Sequence, residues 1–369
     1  MGLILDDTVV LEEIPVSGYE KVIHVTNARV GLNAIICMHN TVLGPTLGGI
    51  RIHPYPTFAA ALNDAMRLSA GMTYKSALSE SGWGGGKSVI IADPKTQKTE
   101  ELLMAFGQAV HRLGGQYICA EDVGCGPADV EVISRVTPYV VGLMHEKSSG
   151  NPSPFTAWGT FRGIQSVLKK VYGSDCVEGK VVAIQGLGSV GASLAEYLFW
   201  AGAKLIVADI DSDKAFRIAK QFNAQVVSAE EILKVRCDVL SPCAMGGILN
   251  EKTIPYLQCG AIAGAANNQL LRTEDADAIM ARGILYAPDF VVNAGGLINV
   301  TQELESTGYN PATSRNKVHQ LYDQLMMIYE IAEQNQYSTQ RAALALGDYR
   351  LKYGIGRRNQ TACFHHSAT

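Results

Sequence analysis

VVAIQGLGSVG (181–191) runs directly into ASLAEYLFW (192–200), and this stretch decides the fold. Its first five residues are aliphatic apart from Gln185 and read as a buried strand. Gly186, Leu187, Gly188, Ser189, Val190 and Gly191 then match GxGxxG, and the apolar pattern behind them reads as a helix. Gly186 permits a tight turn, Gly188 lets the backbone approach a pyrophosphate, and Gly191 lets the helix pack closely on the strand. The helix start adds unpaired N–H groups and the favourable end of a dipole for phosphates. The pattern alone is a weak signal. Placed between a strand and a helix, it specifies a dinucleotide site.

Outward from this unit, KLIVADID (204–211) is a second buried strand, and Ser212 caps the helix DKAFRIAKQF. Asp209, at the end of that strand, can accept hydrogen bonds from both ribose hydroxyls of NAD. It would repel a 2′-phosphate, since two like charges ~4 Å apart cost about 4 kcal/mol at an effective dielectric of 20. Asp211 adds to that field and no Arg follows directly, so NAD is expected over NADP. The plainer alternative for Asp209 is a solvated turn residue. Residues 155–172 form a helical pattern closed by Gly173, and VLSPC, AIAGAA and ILYAPD are further short strands. Strands and helices that alternate in this way make a parallel sheet covered on both faces.

Before this region the texture differs. Residues 20–52 read as strands, FAAALNDAMRLSA (58–70) as a helix, SVIIAD (88–93) as a strand and Thr99–Leu113 as a helix with Gly114 past its end. RNKVHQLYDQLMMIYEIAEQ (315–334) reads as one long amphipathic helix, with Val318, Leu321, Leu325, Ile328 and Ala332 on a single core-facing stripe. The chain has 369 residues, long enough for two domains of about 150. The expected fold class is α/β. A Rossmann doubly wound parallel-sheet NAD domain (141–330) and an α/β substrate and oligomerisation domain (1–140, completed by 331–369) flank a cleft.

Composition narrows the function classes. Thirty-one Lys plus Arg against 35 Asp plus Glu leave a net charge of -4, without the basic excess of a nucleic-acid binder. The apolar fraction is 47%, enough for a sizeable core, and the charged fraction is only 18%. A low charge fraction fits surface hidden in a cleft or a subunit interface. No apolar run approaches the ~18 residues of a membrane helix. The opening MGLILDDTVVLEEIP carries acids where a signal peptide needs basic residues. The eight cysteines form no CxxC pair, so no zinc site is expected and a reduced, cytoplasmic setting is the simplest reading. Cys363, His365 and His366 read as a frayed tail and not as metal ligands.

Two lysines keep unusual company. Lys75 ends GMTYK, just after the 58–70 helix, and Lys87 ends GWGGGK, before a buried strand. Either would be unremarkable on a surface. On a Gly-Gly-Gly turn, however, a ligand could approach the backbone. If the two share a cleft, repulsion and burial lower the pKa of one and make it a base near neutrality. Asp122 in CAEDVGCG reads equally as a helix cap or a chemical group.

TLGGIR (46–51), GMTYK (71–75), GGGK (84–87), AEDVG (120–124), GNPSPFTAWG (150–159), GLGSVG and APDFVVNAGGLINV (287–300) together resemble the Glu/Leu/Phe/Val amino-acid dehydrogenase family. The resemblance covers roughly residues 10–335. It implies reversible, NAD-dependent oxidative deamination of an L-amino acid to the 2-oxo acid and ammonia. Lys75 would grip the α-carboxylate, Lys87 would be the catalytic lysine, and Asp122 would move protons at the amino group. Thr156 would contact the nicotinamide, and Asn268 would lie near its ribose.

The resemblance also bears on specificity. Glutamate enzymes of the family carry a lysine before the glycine pair, where this chain has Leu47 before Gly48 and Gly49, and a serine at the place of Val300. Without those partners a buried γ-carboxylate would cost several kcal/mol. The wall of Leu47, Ala120, Leu297 and Val300 suits leucine, valine or isoleucine. Leu297 itself leans toward the phenylalanine enzymes, so an aromatic substrate is the runner-up. A catalytically dead NAD-binding regulator is the alternative from another class. The resemblance further implies a homo-oligomer, with an octamer as the expectation.

Overall fold

In the computed structural model, which describes residues 8–143 and 148–365, Thr57 opens the first long helix by accepting a hydrogen bond from the N–H of Ala60. That helix lies on the sheet of the first of two units, formed by residues up to Asn151, Val300–Pro311 and Tyr349 onward. Its strands are β1 (Val10–Glu13), β2 (Lys21–Asn27), β3 (Leu32–Asn40), β4 (Thr46–His53), β5 (Gly84–Ile91) and β6 (Tyr117–Glu121), in the order β1-β2-β3-β5-β4-β6. The first three are antiparallel, while β4 runs parallel to both β5 and β6. Helix α1 (Phe58–Leu78) covers one face; α2 (Glu100–Arg112) and α3 (Pro127–Ser134) belong to the other.

Two boundaries here differ from expectation. Helix α1 does not stop near Ala70 but runs through Gly71 to Leu78, so Lys75 is helical. A Cβ at Gly71 would meet nothing within 4 Å, and an exposed helical glycine costs only about 1 kcal/mol. Burial of Thr73, Ser76 and Ala77 carries the helix onward. The three glycines before Lys87 are strand, not turn. A Cβ at Gly85 would lie 2.0 Å from the Thr73 hydroxyl, and one at Gly86 would lie 2.9 Å from the Tyr117 ring. The space expected for a ligand is filled by the protein itself.

The second unit comprises Pro152–Asn299 and Ala312–Asp348. Its strands are β7 (Val181–Gln185), β8 (Lys204–Ala208), β9 (Gln225–Val226), β10 (Arg236–Pro242), β11 (Gln258–Ile262) and β12 (Leu285–Tyr286). All are parallel, in the order β12-β11-β10-β7-β8-β9. Read from β9, this is the 3-2-1-4-5-6 order of a doubly wound dinucleotide fold. Helices α4 (Ser153–Tyr172), α5 (Ser189–Trp200), α6 (Ser212–Phe222), α7 (Asp275–Ala281) and α8 (Asp289–Val292) connect or cover it. Asp211, rather than Ser212, caps α6 by accepting from the N–H of Lys214. Helix α9 (Gly295–Thr301) follows.

The stretch expected to be one helix at 315–334 is two, α10 (Pro311–His319) and α11 (Leu321–Asn335), broken at Gln320. Its stripe of Val318, Leu321, Leu325, Ile328 and Ala332 is buried, and α11 packs on α4 within the second unit. The chain therefore rejoins the first unit within α12 (Thr339–Tyr353), at Tyr349 and not at residue 331. As far as His365, the segment beyond is held in place and does not fray. Cys363 N–H bonds the Leu304 carbonyl, and His365 Nε2 lies 2.8 Å from the Glu305 carbonyl oxygen. His366 lies outside the described residues. Among those residues no helix is long and apolar enough to cross a membrane.

Candidate active site

Three neighbouring parallel strands build the site in the first unit. On a strand, residues two apart share a face. Leu47, Gly49 and Arg51 of β4 therefore lie on one face, together with Gly85 and Lys87 of β5 and Ala120 of β6. This is the face that α1 covers. Gly49 pairs in register with Ala120, and Leu47 with Gly85. A Cβ at Gly49 would sit 2.7 Å from the Asp122 Cβ and 3.2 Å from the Lys87 Nζ. One at Gly48 would sit 1.8 Å from the Gly86 carbonyl oxygen. The glycine pair is what allows β5, which carries Lys87, and Asp122, just past the end of β6, to close up on β4.

Lys87 Nζ lies 2.9 Å from Asp122 Oδ2, and the same oxygen accepts from Arg51 Nε at 3.0 Å. Arg51 also donates to Asp64 on α1 at 3.0 Å, and the Tyr55 hydroxyl donates to that carboxylate. Two cations and two anions thus form one balanced network. Lys87 is only 5% exposed. Burial pushes its ammonium below the ordinary lysine range; Asp122 opposes that shift and Arg51 adds to it. Burial alone would raise the Asp122 carboxyl, but Lys87 and Arg51 outweigh it and hold the group below the usual carboxylate range. Of the two shifts, that of Lys87 moves a group toward neutrality, the direction that equips it to exchange protons, while Asp122 stays an ionised partner for it. The carboxylate of Asp122 caps no helix; α3 starts at the cap residue Gly126.

Arg51 was not singled out from the sequence, although it stands in the quoted TLGGIR. The period of two from Gly49 was signal enough. Leu47 is buried and Ala120 is half-buried on the same face. Lys75 is half-buried toward the end of α1, and its carbonyl accepts from Ser79. Val300 belongs to the first unit, 3.9 Å from where a Cβ on Gly142 would stand. Leu297 is buried in the second unit.

The second unit gathers the other candidates at the carboxyl ends of its strands. The loop Gly186–Gly191 follows β7, next to β10 where the strand order reverses, the position at which such sheets bind ligands. A Cβ at Gly186 would lie 2.6 Å from that of Ala244, and one at Gly191 would lie 2.0 Å from the Gly186 carbonyl oxygen. Gly188 faces open space and caps α5 without a side chain. Backbone N–H groups of the first helical turn, including those of Ser189 and Val190, are thereby left for an anion. Asp209 Oδ2 accepts from Leu187 N–H at 2.6 Å, and Oδ1 from Asp211 N–H at 2.9 Å. The carboxylate thus braces the glycine loop and is not merely solvated. Burial opposes ionisation, but these bonds and Lys214 hold its pKa low.

Asn268 is exposed, with a left-handed φ of 53°, and its carbonyl accepts from Gly247 N–H. Thr156, in the first turn of α4, would touch a Cβ on Gly296 at 2.7 Å. In α9, therefore, the second glycine of the pair presses on the turn that carries Thr156.

Comparison with known proteins adds an independent line. A family model described as "Glu/Leu/Phe/Val dehydrogenase, dimerisation domain" matches residues 20–139, and "Glutamate/Leucine/Phenylalanine/Valine dehydrogenase" matches residues 210–352. The chain is 46% identical over 335 residues to leucine dehydrogenase of Geobacillus stearothermophilus, covering 90% of this chain and 91% of that one. It is 43% identical over 351 residues to phenylalanine dehydrogenase of Caldalkalibacillus thermarum (strain TA2.A1), covering 94% of each. The crystal structure of L-tryptophan dehydrogenase from Nostoc punctiforme superposes with a TM-score of 0.80 at 43% identity, over 91% of this chain and 97% of that one.

Proposed function

Because this chain belongs to the Glu/Leu/Phe/Val amino-acid dehydrogenase family, we propose that it oxidises branched-chain L-amino acids, leucine foremost, with NAD. The observation that carries the reading is the Lys87–Asp122–Arg51 cluster, set on the same sheet face as the apolar Leu47 and Ala120. In net terms, amino acid, NAD⁺ and water become 2-oxo acid, ammonia, NADH and a proton. The nicotinamide, when bound, supplies the acceptor for the α-hydrogen and its electron pair. The chain supplies the rest. Lys75 holds the α-carboxylate, and neutral Lys87 takes a proton from the water that adds to the iminium carbon. Asp122, 2.9 Å from Lys87, relays that proton to the amino nitrogen, and as ammonia leaves Lys87 takes the hydroxyl proton of the carbinolamine, which later passes to solvent. Leu47 and Val300 offer a γ-carboxylate no partner, which disfavours glutamate. Leu297 completes the apolar wall in this reading.

The glycine loop fits a pyrophosphate, since Gly188 leaves its cradle open. Asp209 serves the adenine ribose, and the neighbouring Ile210, 96% exposed, offers an apolar surface for the base. Thr156 and Asn268 serve the nicotinamide end. The test is NADH formation across the twenty L-amino acids. We expect the highest kcat/KM with leucine, valine or isoleucine; a maximum with phenylalanine or tryptophan overturns the substrate assignment. Asp209→Ala should lower the ratio of NAD to NADP activity by roughly tenfold or more. It should also raise KM for NAD, because the loop loses its brace at Leu187. An unchanged ratio would mean that another group reads the ribose. The reading includes self-association through the N-terminal domain, whose family description names dimerisation. Active enzyme sedimenting as a single chain would refute it. The setting we infer is cytoplasmic.

A further inference from the structure

We propose that the segment 350–358 is a strap that positions the two lysines, with Arg358 and Arg350 as positioning residues. The inference rests on the roles given above to Lys75 and Lys87. Those lysines are joined by the end of α1 and the turn 79–83, and that turn is held in an uncommon conformation. Glu80 has φ 48° and Gly82 φ 77°. A left-handed glutamate persists only where its surroundings over-determine it.

The strap supplies those surroundings. Arg350, 4% exposed, donates to the carbonyls of Ala77 and Leu78, which the helix end leaves without intrahelical partners. It also pairs with Glu80 at 3.0 Å. Arg358 N–H donates to the Leu43 carbonyl, and its guanidinium stacks 4.6 Å over the ring of fully buried Trp83. The same guanidinium bonds Glu305 and the Leu304 carbonyl, just beyond the helix that carries Val300. Trp83 immediately precedes the glycine strand that leads to Lys87. A Cβ on Gly82 would come within 3.2 Å of the Arg358 Cβ, and one on Gly356 within 3.4 Å of the Glu80 Cα. The strap is therefore seated on the turn's backbone. It acts through the turn that sets one lysine relative to the other.

Arg358→Ala should raise KM for the amino acid and lower kcat, together costing roughly tenfold to hundredfold in kcat/KM. KM for NAD should stay within about twofold, because the cofactor loop belongs to the other unit. A merely destabilising change would not produce that split at a temperature where the protein is folded. If Arg358→Ala does not fold, Glu305→Gln removes only the ion pair and should show the same split at reduced size. Equal rises in both KM values, or no change in either, overturn the strap. Lys75→Ala assayed alongside separates the two ideas. Unchanged KM for the amino acid in that variant sinks the assignment of Lys75. A raised KM there, with Arg358→Ala and Glu305→Gln at wild-type values, sinks the strap alone.

Discussion

Lys87→Ala is expected to lower kcat for amino-acid oxidation by roughly 10³- to 10⁴-fold while NADH binding stays within about twofold. Both halves of the expectation come from geometry. The ammonium is buried against Asp122, and no other lysine is ion-paired with that carboxylate among the described residues. On the proposed mechanism its loss removes the proton acceptor for the attacking water. The dinucleotide loop and Asp209 belong to the second unit and are built by different strands. Arg51 still neutralises Asp122 in the variant, so the fold should survive. Fluorescence titration with NADH, beside steady-state rates, checks both halves. Near-full activity in Lys87→Ala would remove this residue from the chemistry.

Asp122→Asn should act on stability and on the pH profile together. Removing one member of a buried ionic cluster leaves Lys87 and Arg51 facing each other, at a cost of about 3 kcal/mol. The folded-state pKa of Asp122 is depressed. Its contribution is therefore fully present above the ordinary carboxylate pKa and is lost as pH falls through the depressed value. The gap in melting temperature between wild type and variant should close in strong acid. For activity the sign runs through Lys87. Asp122 holds the proton on Lys87, whereas Arg51 repels it. Without Asp122, Lys87 becomes neutral at lower pH, and the rising limb of kcat/KM for oxidation moves toward acid. Arg51→Gln should move that limb toward alkali. Shifts of the same sign in the two variants would show that the limb does not report Lys87.

Much of this arrangement was legible in the residues. The stretch 181–191 could be read because strand, turn and helix each leave their own local signature there. What failed were features set by distant neighbours. The glycines of 84–86 show no alternation, having no side chains to alternate; only the Thr73 and Tyr117 side chains packed against them explain why they lie in a sheet. Gly71 looked like a stop because burial beyond it could not be seen. Gln320 interrupts a helix with neither proline nor glycine to announce it. Arg51 was visible by the period of two. The partners of Arg350 and Arg358, by contrast, lie as far as hundreds of positions away in the chain, beyond any local pattern.

That last separation has a consequence for biosynthesis. Arg350 closes on Ala77 across 273 residues. At the usual 5–20 residues per second of translation, roughly 14–55 s pass between the appearance of the two. Through that interval the nascent first unit holds Trp83 and the end of α1 without their covering arginines, and by its end the glycine-loop unit is almost wholly made. Assembly on the ribosome should therefore finish in reverse order, the earlier-made half becoming protease-resistant last.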